Sequence, residues 1–364
     1  MEKDLFLTNV DMNAPFSEHT QKLADLYRTS LSVSGTIRLQ LAISLFQQSE
    51  LLLKQDPSLD KYIRLLSHFT QLSETVFNDH RLSSSLLVPY SVIPVNSLDN
   101  SEYTQEHYST LFSAFDDFHF FDETIDLLRL RFERNDIDLA QFANKRILDY
   151  GCGGGRYSYA LAYLTHGIVH GVDFSDKNID FARSKANQAK QRGFPTIPTF
   201  DVDDVTSSTT ESGSYDFIFS NGVLHHTSSI LYGLTEIKRL LKKDGQSWLY
   251  LIGAPGGIKW NTVQILRVLL SNIDPLFARQ YLAMAGVPPN RIFYILDHIL
   301  VPINTLSLPS DLETMFRNLE FSSWRRLSRG TDFDISELMY NSPLPEQEAY
   351  WIFGNAELRY LIQC

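Results

Sequence analysis

The sequence is poor in cysteine, in long apolar runs and in basic residues relative to acidic ones. Only two cysteines, Cys152 and Cys364, occur among 364 residues, which excludes a disulfide framework and fits a reducing compartment. No run approaches the roughly 20 apolar residues that span a bilayer, and the acidic start of the chain lacks the features of a signal peptide. We therefore expect a cytoplasmic protein with no membrane partner.

Charge and histidine spacing argue against two further classes of partner, nucleic acids and metal ions. Asp and Glu number 43 against 32 Lys and Arg, a net charge of −11, whereas nucleic-acid affinity rests largely on basic side chains. The ten histidines show no tight spacing such as His-Glu-x-x-His. We expect neither a nucleic-acid partner nor a metal site.

The first hundred residues predict helices. Apolar residues recur every three or four positions over 17–31, 36–54 and 58–77, as in amphipathic helices. Residues 83–101 are rich in serine and contain two prolines, so they are interpreted as a connector. Residues 1–100 are therefore expected to form a helical region that serves as a substrate lid, a partner-docking surface or a homodimer contact, and the sequence does not choose between these.

From about residue 145 the pattern alternates between short apolar runs and helical stretches, which is typical of a parallel sheet covered by helices on both faces. We predict an α/β, Rossmann-like doubly wound sheet over residues 101–330, interrupted by a helical insertion at 253–307. Residues 331–364 are expected to be an extension that packs on the core or the substrate site. The strands are expected at 146–150, 168–174, 215–220 and 248–252, and the helices between them at 157–164, 178–192 and 230–243.

The strongest motif is the stretch ILDYGCGGGR at 147–156, where a strand ends in an acid and a glycine-rich turn leads into a helix. Glycines allow a ligand to approach the backbone, and a helix N-terminus offers free N–H donors. A dinucleotide-binding turn requires Gly-x-Gly-x-x-Gly. Arg156 or Ser158 occupies the place of the third glycine in the two available registers, which counts against a nicotinamide or flavin enzyme.

A second acid follows the next predicted strand. Asp173 lies 22 residues after Gly151, where a carboxylate can accept hydrogen bonds from both hydroxyls of a ribose. The competing interpretation is that Asp173 only caps the following helix.

These elements resemble the class I S-adenosylmethionine (SAM) dependent methyltransferases, in the broad sense of methyltransferase domains 11 and 12. The resemblance implies that Asp149 orients the methionine end of SAM, that the turn passes close to the methionine and sugar, and that Asp173 holds the ribose. It also implies an acid near the adenine amine, which the spacing to the next strand assigns to Asp204, with Asp203 as the alternative. The implied cofactor-binding residues are Asp149, Gly151, Cys152, Gly153, Gly155, Arg156, Asp173, Phe174, Asp203, Asp204, Val205, Asn221 and Gly222.

The stretch SNGVLHHT at 220–227 resembles the segment of this family that borders both the cofactor and the reacting atom of the substrate. His225 and His226 are candidates for a general base or a substrate contact. A purely structural role for either histidine stays open. The expected substrate contacts are Tyr108, Phe112, Trp260, Arg267, Tyr281 and Arg291.

The sequence thus predicts methyl transfer from SAM, with S-adenosylhomocysteine as product, to an oxygen or nitrogen of a small-molecule acceptor. The alternatives are methylation of a protein or tRNA, or a non-catalytic binding or scaffold protein that keeps the fold.

Overall fold

The computed structural model describes residues 11–29, 33–79 and 116–364. The predicted connector at 83–101 lies outside these residues. The described helices, in chain order, are α1 (Ser17–Arg28), α2 (Gly35–Gln55), α3 (Leu59–Asn78), α4 (Glu123–Glu133), α5 (Arg156–Thr165), α6 (Asp176–Ser184), α7 (Ala186–Gln191), α8 (Ile230–Leu240), α9 (Gly257–Leu269), α10 (Pro275–Met284), α11 (Pro289–Ile299), α12 (Pro309–Asn318), α13 (Ile335–Tyr340) and α14 (Glu346–Phe353). The described strands are β1 (Arg146–Tyr150), β2 (Ile168–Asp173), β3 (Thr199–Val202), β4 (Tyr215–Asn221), β5 (Leu241–Ile252), β6 (Ser323–Arg326) and β7 (Glu357–Gln363).

The chain divides into two compact units, each built from separate stretches of sequence. The helical unit comprises the described residues within Met1–Asp99, Gly253–Val301 and Asn341–Ala356. The sheet unit comprises those within Asn100–Ile252, Pro302–Tyr340 and Glu357–Cys364.

The helical unit is held together by a buried polar network as well as by apolar packing. The Tyr62 hydroxyl of α3 is 2.9 Å from Thr262 Oγ1 of α9. The neighbouring Asn261 amide donates to Tyr62 and to Thr20 Oγ1 of α1, each at 2.8 Å. Arg38 of α2 donates to the Leu269 carbonyl at the end of α9. Residues 253–301 of the insertion expected at 253–307 therefore share one unit with the N-terminal helices, whereas residues 302–307 belong to the sheet unit.

The sheet unit contains a seven-stranded sheet in the order β3-β2-β1-β4-β5-β7-β6. Strands β1 to β5 pair in parallel, whereas β7 runs antiparallel to both β5 and β6. This confirms the predicted Rossmann-like, mostly parallel fold. Chain order reverses between β1 and β4, and in such sheets ligands bind beyond the carboxyl ends of the strands at this point.

Apolar side chains cover both faces of this sheet. Ile147 belongs to one buried cluster with Phe132 of α4 and Leu161 of α5. Leu148, the next residue, belongs to the other cluster, with Leu234 of α8 and Phe316 of α12. Successive residues of a strand point to opposite faces, so a strand buried on both sides is apolar without alternation.

Several predicted boundaries need correction. Strand β1 agrees with its prediction, but the helix predicted at 178–192 is wrong as a single element because it divides into α6 and α7. The helix predicted at 230–243 is wrong beyond Leu240, where β5 begins. Asp244 and Gly245 lie in the irregular part of the β4–β5 pairing, between the partners of Tyr215 and Phe217, so they do not terminate the helix. Strand β7 was not predicted, because residues 331–364 were expected only as an extension that packs on the core or the substrate site.

Candidate active site

The glycine-rich turn between β1 and α5 is a tightly fixed loop. The N–H groups of Gly151 and Cys152 both donate to the Val172 carbonyl of β2, at 2.9 and 2.8 Å. Gly151 has a φ of 86°, a conformation that favours glycine. A Cβ atom there would lie 2.4 Å from Val223 Cγ1, so the turn and the segment after β4 can approach only through a glycine.

Asp149 lies buried just before this turn, with 3% of its surface exposed. Ser158 of α5 donates a hydrogen bond to its Oδ2 atom at 2.6 Å. Burial raises the pKa of Asp149 to about 7, and the Ser158 hydrogen bond opposes that shift. A carboxyl group with this pKa gains from a cationic ligand, because a positive charge nearby favours the ionised form.

Asp173 lies at the end of β2 and is also buried, with 6% of its surface exposed. Its carboxylate accepts from Gly153 N at 3.0 Å, from Ser175 N at 3.0 Å and from Asn178 Nδ2 at 3.1 Å. Burial raises the pKa of Asp173, and these three donors counteract the effect. Because one donor is Gly153, the acid after β2 is tied directly to the glycine-rich turn.

The loop after β3 contains Asp203 and Asp204, the two alternatives for the acid near the adenine amine. Asp203 is buried, and its carboxylate accepts from Thr209 N at 3.1 Å and from the Ser208 hydroxyl. Asp204 is exposed and accepts from Thr206 N at 2.7 Å. Asp203 therefore organises its own loop, while Asp204 has the more accessible carboxylate. An adenine contact by Asp204 stays a prediction.

The segment after β4 lies at the same edge of the sheet as Asp149 and Asp173. Asn221 Oδ1 accepts from the Trp248 indole at 3.1 Å, and Gly222 has a φ of 80°. His225 is 1% exposed, and its ring centroid lies 4.1 Å from that of His226. His226 Nδ1 is 2.8 Å from the Ile303 carbonyl oxygen. The two histidines are thus held side by side where the carboxyl end of β4 meets the edge.

The remaining predicted cofactor residues flank the same turn. Arg156 begins α5 and its guanidinium lies 4.9 Å from the Tyr157 ring centroid. Phe174 is exposed, and Val205 is buried. Cys152 is buried, which raises the pKa of its thiol well above the usual value, as expected of a packing residue and not of a nucleophile.

Sequence reasoning missed three polar residues at this edge, namely Ser158, Asn178 and Tyr250. Ser158 and Asn178 bond the two acids, but a helical sequence shows no such partner in advance. Tyr250 pairs in register with Asn221 and its ring centroid lies 6.1 Å from that of His225. The signal for Tyr250 was its place in the predicted strand WLYLI, one strand over from the histidine pair.

The residues expected to contact substrate have other partners in the structure. Tyr108 and Phe112 lie outside the described residues. Trp260, Arg267, Tyr281 and Arg291 all belong to the helical unit. Their partners are the Ala356 carbonyl for Trp260, the carbonyls of His298, Ile299 and Val301 for Arg267, Gln40 for Tyr281 and Glu50 for Arg291. These contacts are structural ones, and a role in substrate binding stays a prediction.

Within residues 11–29, 33–79 and 116–364, no group of three His, Cys, Asp or Glu side chains is arranged to hold a metal ion. In the same ranges no helix combines the length and apolarity needed to cross a bilayer.

Residues 141–251 match the family described as Methyltransferase domain, a segment that contains β1 to β5 and the candidate site. This match confirms the resemblance to the class I SAM-dependent methyltransferases, and the segment is a methyltransferase domain of that kind.

Curated relatives match part of the chain. A malonyl-[acyl-carrier protein] O-methyltransferase of Legionella pneumophila is 32% identical over 115 residues, covering 31% of this chain and 38% of the relative. A ubiquinone biosynthesis O-methyltransferase of Bartonella tribocorum is 28% identical over 145 residues, covering 36% and 56%. A tRNA U34 carboxymethyltransferase of Pseudomonas savastanoi is 31% identical over 118 residues, covering 31% and 34%. The chain thus spans between about a third and just over half of the length of these relatives.

Among solved structures, the arsenic(III) SAM methyltransferase of Chlamydomonas reinhardtii is 18% identical with a TM-score of 0.37, and the match covers 62% of this chain and 64% of that one.

Proposed function

We propose that this protein transfers the methyl group of SAM to an oxygen or nitrogen atom of a small-molecule acceptor. The observation that carries the proposal is the pair of buried acids, Asp149 and Asp173, on either side of a glycine-rich turn inside a matched methyltransferase domain. Buried carboxylates are expensive unless something compensates their charge. A ligand that carries both a positive charge and a diol would supply such compensation: the charge would pair with Asp149, and the diol would donate hydrogen bonds to Asp173.

The residues present fit SAM in the chemistry of their donors and acceptors. Asp149 would bind the positively charged methionine end. Its pKa is raised by burial, and a nearby cation would favour the ionised form of the carboxyl group. Asp173 would hold the ribose hydroxyls, and the N–H groups at the start of α5 face the same edge. When bound, SAM supplies a methyl carbon already activated by the adjacent sulfonium.

The task left to this chain is to align an acceptor, exclude water and remove a proton. Alignment and water exclusion both contribute to the acceleration of a displacement at an activated carbon. Histidine is the side chain best suited to take a proton near neutral pH. His225 and His226 lie at the carboxyl end of β4, beside Tyr250, so either can serve an acceptor hydroxyl or ammonium placed there.

The alternative acceptor is a macromolecule. One relative is a tRNA U34 carboxymethyltransferase and another is named for malonyl-[acyl-carrier protein], so tRNA and carrier-protein acceptors belong in the same assay. The net charge of −11 favours a small molecule over tRNA, since phosphate-backbone binding requires basic side chains. The non-catalytic alternative predicts SAM binding without turnover.

The test is formation of S-adenosylhomocysteine from SAM by the full chain, with pools of phenolic, carboxylic and amine metabolites, with total tRNA, and with an acyl-carrier protein. Turnover that appears only with a metabolite pool is the expected result, and the variant in which both His225 and His226 are replaced by Asn should lose it. Turnover with tRNA or carrier protein alone would replace the small-molecule proposal, and binding without turnover in any pool would favour the scaffold.

A further inference from the structure

Asn178, in the first turn of α6, is a buried residue that the mechanism above does not use. It has 2% of its surface exposed, and its backbone N–H donates to the capping Ser175 Oγ at 3.3 Å. Its side-chain nitrogen donates to Asp173 Oδ1 at 3.1 Å. The residue therefore connects the helix cap to the acid that ends β2.

The orientation of this amide is fixed by the carboxylate. Only the NH₂ group can donate, and an amide oxygen turned toward Asp173 would meet another acceptor. The Asn178 carbonyl oxygen is buried and makes no hydrogen bond to any described residue. A buried unpaired oxygen lowers stability. The Asn178 side chain is therefore held in an unfavourable setting for its oxygen, while its nitrogen donates to Asp173.

Asn178 is the side-chain member of the set of donors that the structure gives Asp173. The other two are the backbone N–H groups of Gly153 and Ser175. The remaining charged and titratable groups around Asp173 do not replace it. They are Asp149 on β1 and Cys152 in the turn, which both interact with its charge, and Asp203 after β3, whose backbone N–H donates to the Asp173 carbonyl. Arg156 at the start of α5 acts on Asp149, and Asp176 and Lys177 on α6 itself are exposed.

We propose that Asn178 is a positioning residue, which keeps the Asp173 carboxylate ionised and aimed at the ribose hydroxyls of the cofactor. The geometry supports this role, because one carboxylate oxygen, Oδ1, accepts from both the Ser175 N–H and the Asn178 amide, while Oδ2 accepts from the Gly153 N–H. Oδ2 retains acceptor capacity for a hydroxyl, because a carboxylate offers about four lone-pair sites. This inference rests on the proposed function of the site as a SAM site.

The role has a pH signature that a purely structural role lacks. A hydrogen bond donated to a carboxylate favours its ionised form, so Asn178 counteracts the burial that raises the pKa of Asp173. In Asn178→Leu, which has a similar size and no donor, protonation of Asp173 begins at higher pH. Affinity for S-adenosylhomocysteine should then fall about tenfold at pH 6 but less than about threefold at pH 9.

The experiment titrates S-adenosylhomocysteine into four forms of the full chain between pH 5.5 and 9: wild type, Asn178→Leu, Asp173→Asn and the double variant. The expected result is a loss in Asn178→Leu that grows toward low pH and disappears in the Asp173→Asn background. Equal loss at every pH, or the same loss in both backgrounds, would overturn the proposal, because it would show a packing defect.

A second measurement separates this inference from the proposed function. The carboxyl carbon of Asp173, labelled with ¹³C and assigned through Asp173→Asn, is titrated in the protein without any ligand. The resonance should titrate at higher pH in Asn178→Leu and, if that variant is unstable, in Asn178→Ala. An unmoved titration rejects the role of Asn178 even when wild type binds S-adenosylhomocysteine, and a moved titration without binding rejects the SAM site alone.

Discussion

Asp334 and Arg131 form a two-point ion pair inside the sheet unit, although 203 residues separate them in sequence. Arg131 Nε and Nη2 donate to the two carboxylate oxygens of Asp334, each at 2.9 Å. The same carboxylate lies 3.1 Å from Arg359 Nη2, and Arg131 Nη1 donates to the Tyr157 hydroxyl at 3.2 Å. Asp334 thus links α4 to the strand β7, and Arg131 extends the link to the first turn of α5.

Replacing Asp334 by Asn should destabilise the protein strongly. Removing one partner of a buried pair leaves the other charge without compensation, which costs about 3–5 kcal/mol. The matched control is Asp332→Asn, since Asp332 is 84% exposed at its side chain and pairs with Arg134. An exposed pair is worth about 0–1 kcal/mol. Urea unfolding of both variants at pH 7 measures the difference. Equal losses in the free energy of unfolding would show that the buried pair stabilises the protein no more than the exposed one.

The pH dependence of stability should reflect the same pair. Arg131 and Arg359 hold the pKa of Asp334 well below its usual range, against the opposing effect of burial. A carboxyl whose folded-state pKa is depressed stabilises the protein above its unfolded-state pKa of about 3.9, and this stabilisation is lost as pH falls through the folded-state value. Wild type should lose stability below pH 4 more steeply than Asp334→Asn, which urea titrations at pH 3, 4 and 7 would reveal. Parallel curves would contradict the assignment.

Asp149 should act on stability in the opposite direction. Its folded-state pKa of about 7 lies above the unfolded-state value of about 3.9, so ionised Asp149 costs stability, fully so above pH 7 and not at all below pH 4. Asp149→Asn should therefore raise the free energy of unfolding by about 2–4 kcal/mol at pH 8 and change it little at pH 4. The same variant should bind SAM more weakly. An Asp149→Asn variant that is less stable than wild type at pH 8 would show that burial of the ionised Asp149 carboxylate does not lower the stability of the protein.

The glycine-rich turn allows a test with a matched control. Gly151→Ala combines a φ of 86° with a Cβ position 2.4 Å from Val223 Cγ1, so both strain and overlap should destabilise it, by about 2–4 kcal/mol. Gly193→Ala has a similar φ of 75° with nothing within 4 Å of the added Cβ. The control should lose only the conformational term, about 1 kcal/mol. Thermal unfolding compares the two, and a Gly151→Ala variant as stable as Gly193→Ala would contradict the close approach of Val223.

The histidine pair should separate binding from turnover. His225→Asn or His226→Asn should leave affinity for S-adenosylhomocysteine within about threefold while lowering kcat about 10²- to 10⁴-fold if the changed ring removes the acceptor proton. Calorimetry and S-adenosylhomocysteine formation with the acceptor from the screen measure the two effects. Full turnover by both variants would show that neither histidine removes the acceptor proton.

The elements that sequence could predict are those with local causes. The strand at 146–150 and the turn that follows were readable because an apolar run, an acid and glycines stand together. The bond between Asp334 and Arg131 was not readable, since neither residue carries a local sign of its partner. Strand β7 was missed for the same reason: it becomes a strand by pairing with β5 and β6, and its own residues repeat no clear pattern.

The helical unit illustrates the second limit. Amphipathic periodicity predicted its N-terminal helices well, but the association of α9 with α1, α2 and α3 depends on polar contacts such as Tyr62 with Thr262, across 200 residues of sequence. Within the candidate site, Asp149 was predicted from the motif and the resemblance, and Asp173 from its spacing. Ser158 and Asn178 could be assigned only from the way α5 and α6 pack against β1 and β2.

The central claim is that Asp173 holds the ribose of SAM, and calorimetric titration with SAM and S-adenosylhomocysteine tests it most directly. Wild type should bind both ligands, and Asp173→Ala should lose about 30- to 1,000-fold in affinity, because a charged acceptor for two hydroxyls is worth on the order of 2–4 kcal/mol. The control is Asp180→Ala, since Asp180 is an exposed acid on α6, the helix that follows Asp173. This variant should bind both ligands like wild type. Folded wild-type protein that binds neither ligand, or an Asp173→Ala variant that binds as well as Asp180→Ala, would contradict the account.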